Sequence, residues 1–106
     1  MKLLAKLSLA AVPIVLCAVS MLSQDSAPSR GKEIYAIQKC ALCHSISGVG
    51  GQIQALDGVG SRLKPDTMRR RIRTPRELKP DSIMKAYPDL PEKDLNNLVE
   101  YLMTLR

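Results

Sequence analysis

Two cysteines and a histidine packed into five residues constrain this chain more than any other feature. Cys40-Ala41-Leu42-Cys43-His44 puts two thiols three positions apart and an imidazole directly after the second. This spacing is the attachment pattern of haem c. Two thiols so placed can add across the two vinyl groups of one porphyrin, and the next residue then lies close enough to the macrocycle for its imidazole to bind the iron. Two other readings compete. Half a zinc site is one, but zinc takes four ligands, and Cys40, Cys43 and His44 supply at most three. A thioredoxin-like redox pair is the other, but it belongs in a βαβ pattern, which the sequence lacks. The chain holds three Cys and one His in all, so beyond Cys17 in the leader nothing distant is left to complete either alternative.

The start of the chain fits an exported protein. Lys2 and Lys6 precede a charge-free run from Leu7 to Leu22, and the composition turns polar at Gln24. That is the layout of a secretory signal peptide, with Ala18 and Ser20 as small residues before a cut. Residues 1–20 are therefore expected to be a leader, and 21–30 a flexible lead-in to a domain over 31–106. An uncleaved anchor is the competing reading, although the run is short for a span of about 20 apolar residues. A lipid-modified Cys17 is a third, disfavoured by the bulky Leu16 before it. The net charge is +6, and losing Lys2 and Lys6 leaves about +4. That suits acidic partners or anionic headgroups. No nucleic-acid motif is present.

The domain left after the leader, about 85 residues, is near the size at which a hydrophobic core alone gives thin stability. It has no Phe and no Trp, so a large, flat, apolar cofactor would help to fill it.

Along the chain, Gly31–Lys39 reads as a short helix leading to Cys40. Residues 45–61 read as glycine-rich loop. Pro65-Asp66 opens a second helix on which Met68 and Ile72 share a face, and Thr74-Pro75 ends it. Residues 75–91, with four prolines, read as extended loop. Pro91-Glu92 opens a last helix in which Leu95, Leu98, Val99, Leu102 and Leu105 form an amphipathic stripe. No strand pattern of any length is evident. The expected fold is all-α, a small domain of three to four helices and loops wrapped around one haem.

With a single His in the chain, a second imidazole on the iron is excluded, and Met is the usual remaining axial ligand. Met68 and Met103 lie on helix faces and read as packing. Met84 stands in the proline-bracketed loop Lys79-Pro80-Asp81-Ser82-Ile83-Met84, where a thioether can be aimed inward, so His44 and Met84 are the expected iron ligands.

The sequence resembles the class I cytochrome c family in its short bacterial monohaem form. The resemblance is carried by Gly31 and Tyr35, the Cys40–His44 motif, Gly58-Val59-Gly60-Ser61-Arg62, Met84 with Tyr87, and the helix bearing Leu95, Leu98 and Tyr101. It implies that the first and last helices cross, with Gly31 and Tyr35 against Leu98 and Tyr101. It also implies that Arg62 faces a haem propionate, where a guanidinium suits by charge and shape. Three departures stand out. Ile53-Gln54 replaces the Gly-Pro whose carbonyl orients the haem histidine, so a carbonyl of Ile53 or Gln54 would have to do that work. Lys85 replaces the Pro that follows the methionine. Gly31 lies one residue farther from the first Cys than is common.

The expected function is single-electron transfer by one haem c, in a carrier and not an enzyme, between exported or membrane-bound redox partners. The cluster Arg69, Arg70, Arg71, Arg73, Arg76 and Lys79 is either a solvated helix face or a docking surface for an acidic partner or anionic headgroups. Two alternatives are a haem-bearing subunit of a larger oxidoreductase and an open-site haem protein for ligand binding or sensing.

Overall fold

The computed structural model describes Ala10, Ala11, Pro13 and residues 26–106. Most of the expected leader over 1–20, and residues 21–25 of the lead-in, lie outside the described residues. Among the described residues no helix is long and apolar enough to cross a membrane.

The first helix, α1, spans Ala27–Ile37. It begins four residues before the expected start at Gly31, because Ser26 is extended and its hydroxyl accepts from Ser29 N at 3.3 Å. Pro28 lies in the first turn, where its missing N–H costs nothing. Its partner is α5, Glu92–Met103, opened by Pro91 with Glu92 and Asp94 in the first turn. The leucine stripe read from the sequence is the buried face of α5: Leu95, Leu98, Val99 and Leu102. The two helices approach closely at Gly31, where a Cβ would run into the Asn97 carbonyl and Tyr101 Cβ. One turn on, Tyr35 meets Tyr101 edge to face, with centroids 5.8 Å apart.

Helix α3, Pro65–Arg73, buries Met68 and Ile72 in the same core. Two single turns accompany these three helices. α2, Val59–Arg62, lies against the end of α5. There Gly60 N donates to Leu105 O at 2.8 Å, and a Cβ on Gly60 would collide with the Met103 backbone. α4, Pro75–Leu78, occupies part of the stretch expected to be extended. Thr74-Pro75 does end α3, but Pro75 also suits the first position of a new helix.

The all-α expectation is corrected by a three-stranded mixed sheet in the glycine-rich segment. β1 (His44–Ile46) lies between β2 (Val49–Gly50) and β3 (Gln54–Ala55). β1 and β2 pair antiparallel around Ser47 and Gly48, at φ 51° and 77°. Two left-handed residues match the twist of paired strands. β1 and β3 pair in parallel, His44 opposite Gln54 and Ser45 opposite Ala55. Strands of two or three residues have no room for an alternating pattern, so the segment looks like loop in the sequence. Together with a 3-10 turn at Cys40–Leu42, five α-helical segments and this sheet make up the described fold.

Candidate cofactor site

The cysteine turn begins with a backbone switch. Lys39 is left-handed, at φ 57°, and redirects the chain out of α1 into the 3-10 turn. Cys43 N then donates to Cys40 O at 3.2 Å, so both cysteines belong to one tight turn. Both are free: Cys40 is half-buried against the core and Cys43 is exposed. Burial pushes the Cys40 thiol up; its own backbone hydrogen bond pulls it down, and nearby Cys43 pushes it up again. A site that penalises a thiolate does not penalise a neutral thioether.

His44 follows on β1. Its Nδ1 lies 3.1 Å from Gln54 O. A carbonyl only accepts, so Nδ1 carries the hydrogen and Nε2 keeps a free lone pair for a metal. The register of β1 and β3 makes this contact possible. Cys43 O fixes that register by accepting from both Ile53 N (3.0 Å) and Gln54 N (3.2 Å). Of the two carbonyls that could replace the family's proline carbonyl, Gln54 is the one that meets the imidazole.

The glycines of this segment let it lie directly on the cysteine turn. Gly51 N donates to Ala41 O at 2.7 Å. A Cβ on Gly51 would meet the Leu42 carbonyl, and one on Gly50 the His44 carbonyl. Asp57 holds the far end, its Oδ1 accepting from Ser47 N at 2.7 Å.

Met84 and Tyr87 come from the loop before α5. Met84 is half-buried against the core cluster, as are Cys40, Ile46, Leu56, Leu63 and Tyr87. Tyr87 ties the loop to the turn by donating its hydroxyl to Gln38 O at 3.1 Å. Its phenol is pushed up by burial and then by Cys40 and Cys43. Ile53 and Ile83 add exposed apolar surface, at 62% and 81%. Paired thiols, an imidazole with its Nε2 free, a half-buried thioether and apolar side chains suit a large apolar macrocycle that carries a metal. Among the described residues no three His, Cys, Asp or Glu side chains gather in a metal-holding group.

Arg62 bonds elsewhere. It is exposed at the end of α2, and its Nη1 donates to Asp57 O at 2.6 Å. The arginine cluster is divided by the fold. Arg69 and Arg73 reach Glu92 at 2.8 and 2.9 Å, and Arg69 also bonds Asn96. The Arg73 hydrogen bond, with the charges of both arginines and the Arg69 hydrogen bond, holds the Glu92 carboxyl below its usual range, against desolvation, which pushes it up. Arg76 bonds loop carbonyls. Arg70 and Arg71 remain exposed. The bonds of Arg73 and Arg76 to distant carbonyls, and of Tyr87 to Gln38, have no signature in sequence spacing and were not foreseen.

Comparison with known proteins finds a family and a relative. The family described as "Cytochrome C oxidase, cbb3-type, subunit III" matches residues 26–102. A protein of Alkalihalophilus pseudofirmus named "Cytochrome c oxidase subunit 2" is 26% identical over 92 residues, covering 77% of this chain and 27% of that protein. The chain thus spans about a quarter of the length of that relative.

Proposed function

The chain belongs to the family described as cytochrome c oxidase, cbb3-type, subunit III, a cytochrome c domain, and from that premise we propose that it transfers single electrons through one haem c held by Cys40, Cys43, His44 and Met84. Covalent haem c as cofactor, and haem-based electron transfer between redox proteins, come with the family. The residue assignments are our reading. When bound, the haem supplies one-electron chemistry, its iron alternating between Fe(III) and Fe(II).

The chain's residues do the rest. Cys40 and Cys43 make the cofactor part of the chain through two thioethers. His44 would offer Nε2 to the iron, and the Gln54 carbonyl keeps the ring in that orientation. Met84 would offer Sδ as the second protein ligand. A thioether favours reduced iron more than a second imidazole would, so a moderately high potential is expected. Arg62 is proposed to serve a propionate, which would require it to leave or share its bond to Asp57. The single observation that carries the reading is the His44–Gln54 hydrogen bond, made directly beside the two-cysteine turn.

The test is the visible spectrum of the matured protein and of Met84→Ala. The wild type should show the Met–iron charge-transfer band and bind CO slowly when reduced. The variant should lose the band and take up CO at least about tenfold faster, a change of about 1.4 kcal/mol in barrier. Rapid CO uptake by the wild type would favour an open iron site instead.

A second reading makes this chain the haem-bearing part of a larger oxidoreductase. It is favoured by the oxidase names of both matches. Co-purification with membranes or with an oxidase would support it, and either role fits an exported or membrane-anchored site of action. Exposed Arg71 and Lys79 are proposed to steer an acidic partner. Reduction by that partner should then slow as salt is added.

A further inference from the structure

The loop that carries Met84 is fastened from outside itself. Between Lys79 and Pro91 three residues are proline and donate no backbone hydrogen. Ser82 N bonds Lys79 O at 2.9 Å, and Tyr87 N reaches out to Ile72 O at 3.0 Å. Arginine side chains meet the carbonyls on either side of the methionine. Arg73 Nη1 donates to the carbonyls of Tyr87 (3.3 Å), Pro88 (3.0 Å) and Leu90 (2.6 Å). Arg76 Nη1 donates to those of Ser82 (3.2 Å) and Met84 itself (3.1 Å). The two arginines flank the Thr74-Pro75 corner between α3 and α4, so one corner grips the loop before and after the segment 84–87.

We infer that Arg76 is a positioning residue for Met84, holding its backbone so that the thioether stays on the iron. The inference rests on the reading of Met84 as ligand. Arg73 is a poor probe, because it also binds Glu92 and spans three carbonyls. Arg76 is exposed, and among the described residues its side chain bonds only to this loop. Its loss should therefore loosen the ligand without dismantling the core. Both bonds leave from one nitrogen, so a lysine ammonium, with three donors, can replace them in part.

The experiment compares wild type, Arg76→Gln, Arg76→Lys and Arg70→Gln as matured, full-length haem proteins. Arg70 is exposed on the preceding helix and its side chain makes no hydrogen bond to the loop, so Arg70→Gln removes the same charge alone. CO association with the reduced protein and the charge-transfer band of the oxidised protein are read together with the global denaturation midpoint. Arg76→Gln should bind CO about tenfold faster, as expected for losing a charge-assisted pair of hydrogen bonds. It should also lose the band at lower denaturant, before the global transition. Arg76→Lys should recover part of both effects, and Arg70→Gln should match wild type. Equal behaviour of Arg76→Gln and wild type overturns the inference. So does an equal effect of Arg70→Gln, or a change that only follows the global midpoint. A wild type that already lacks the band fails at the Met84 reading itself, and is distinguished from those outcomes by needing no variant.

Discussion

Tyr35 buries a phenol whose hydroxyl meets no hydrogen-bond partner among the described residues. Its ring is well used, edge-on to Tyr101 and inside the core. A buried unpaired hydroxyl costs about 1–3 kcal/mol relative to a satisfied one. Tyr35→Phe keeps the ring and removes that cost, so it should raise the unfolding free energy by about 1 kcal/mol in denaturant titrations. The same burial, aided by Cys40 and Tyr101, pushes the phenol up to about 12. Unfolded, it would titrate near 10. Between those values the folded chain keeps a proton that the unfolded chain has released, so the contribution to stability is whole below pH 10 and falls as pH rises toward 12. Melting temperatures across that window should fall less steeply in Tyr35→Phe than in wild type, and parallel slopes would contradict the assignment. At this scale the sequence is informative where chemistry needs fixed spacing, as in Cys40, Cys43 and His44. It narrowed the imidazole's partner to two carbonyls, and the fold selects Gln54. It was silent on an orphan hydroxyl, because partners brought from elsewhere in the chain leave no local mark.

Elements show the same division between local and distant causes. α5 was readable because Leu95, Leu98, Val99 and Leu102 recur at helical steps and bury one face. α3 was readable from Pro65-Asp66 and the Met68–Ile72 pair. The sheet was not, since its pairing depends on two left-handed residues and on one carbonyl of Cys43 receiving two donors. α4 was missed because a proline after Thr74 signals an end and a beginning equally well. The contact that joins the readable elements is the crossing at Gly31. Gly31→Ala must push its methyl into the Asn97 carbonyl and the Tyr101 Cβ. Backbone on the far side cannot yield as a flexible side chain would, so α1 and α5 must separate. Alanine's better helix propensity returns only about 1 kcal/mol, and overpacking costs about 1–3 kcal/mol or more. A net loss of up to about 2 kcal/mol or more is expected from these terms, read as a lower denaturation midpoint, with the haem spectrum unchanged in the folded protein.

At the scale of the whole molecule, the buried side chains are unevenly placed. The core formed by protein atoms joins α1, α3 and α5 with Val59 and Leu90. From Ala36 to Gly58 no residue is buried by the chain itself, although this stretch contains both cysteines, His44 and the sheet. It is secured by backbone hydrogen bonds such as Gly51 N to Ala41 O and Leu56 N to Ser45 O, each contributing only about 1 kcal/mol net. A covalently attached haem would join this half to the leucine-rich half and supply the apolar contact that an aromatic-poor sequence lacks. Cys40→Ser/Cys43→Ser, produced without haem, should therefore come apart unevenly. Hydrogen exchange should show the amides of Ser45, Gly51 and Leu56 losing nearly all protection, while those of Leu98, Val99 and Leu102 in α5 keep a measurable part of theirs. In the haem-bearing wild type, both groups should exchange only through larger, shared openings. Uniform loss in the haem-free variant would mean that the α1–α5 crossing has no stability of its own. Retained protection in residues 44–56 would mean that the small sheet holds without the cofactor, and that the haem's contribution is to chemistry rather than to the fold.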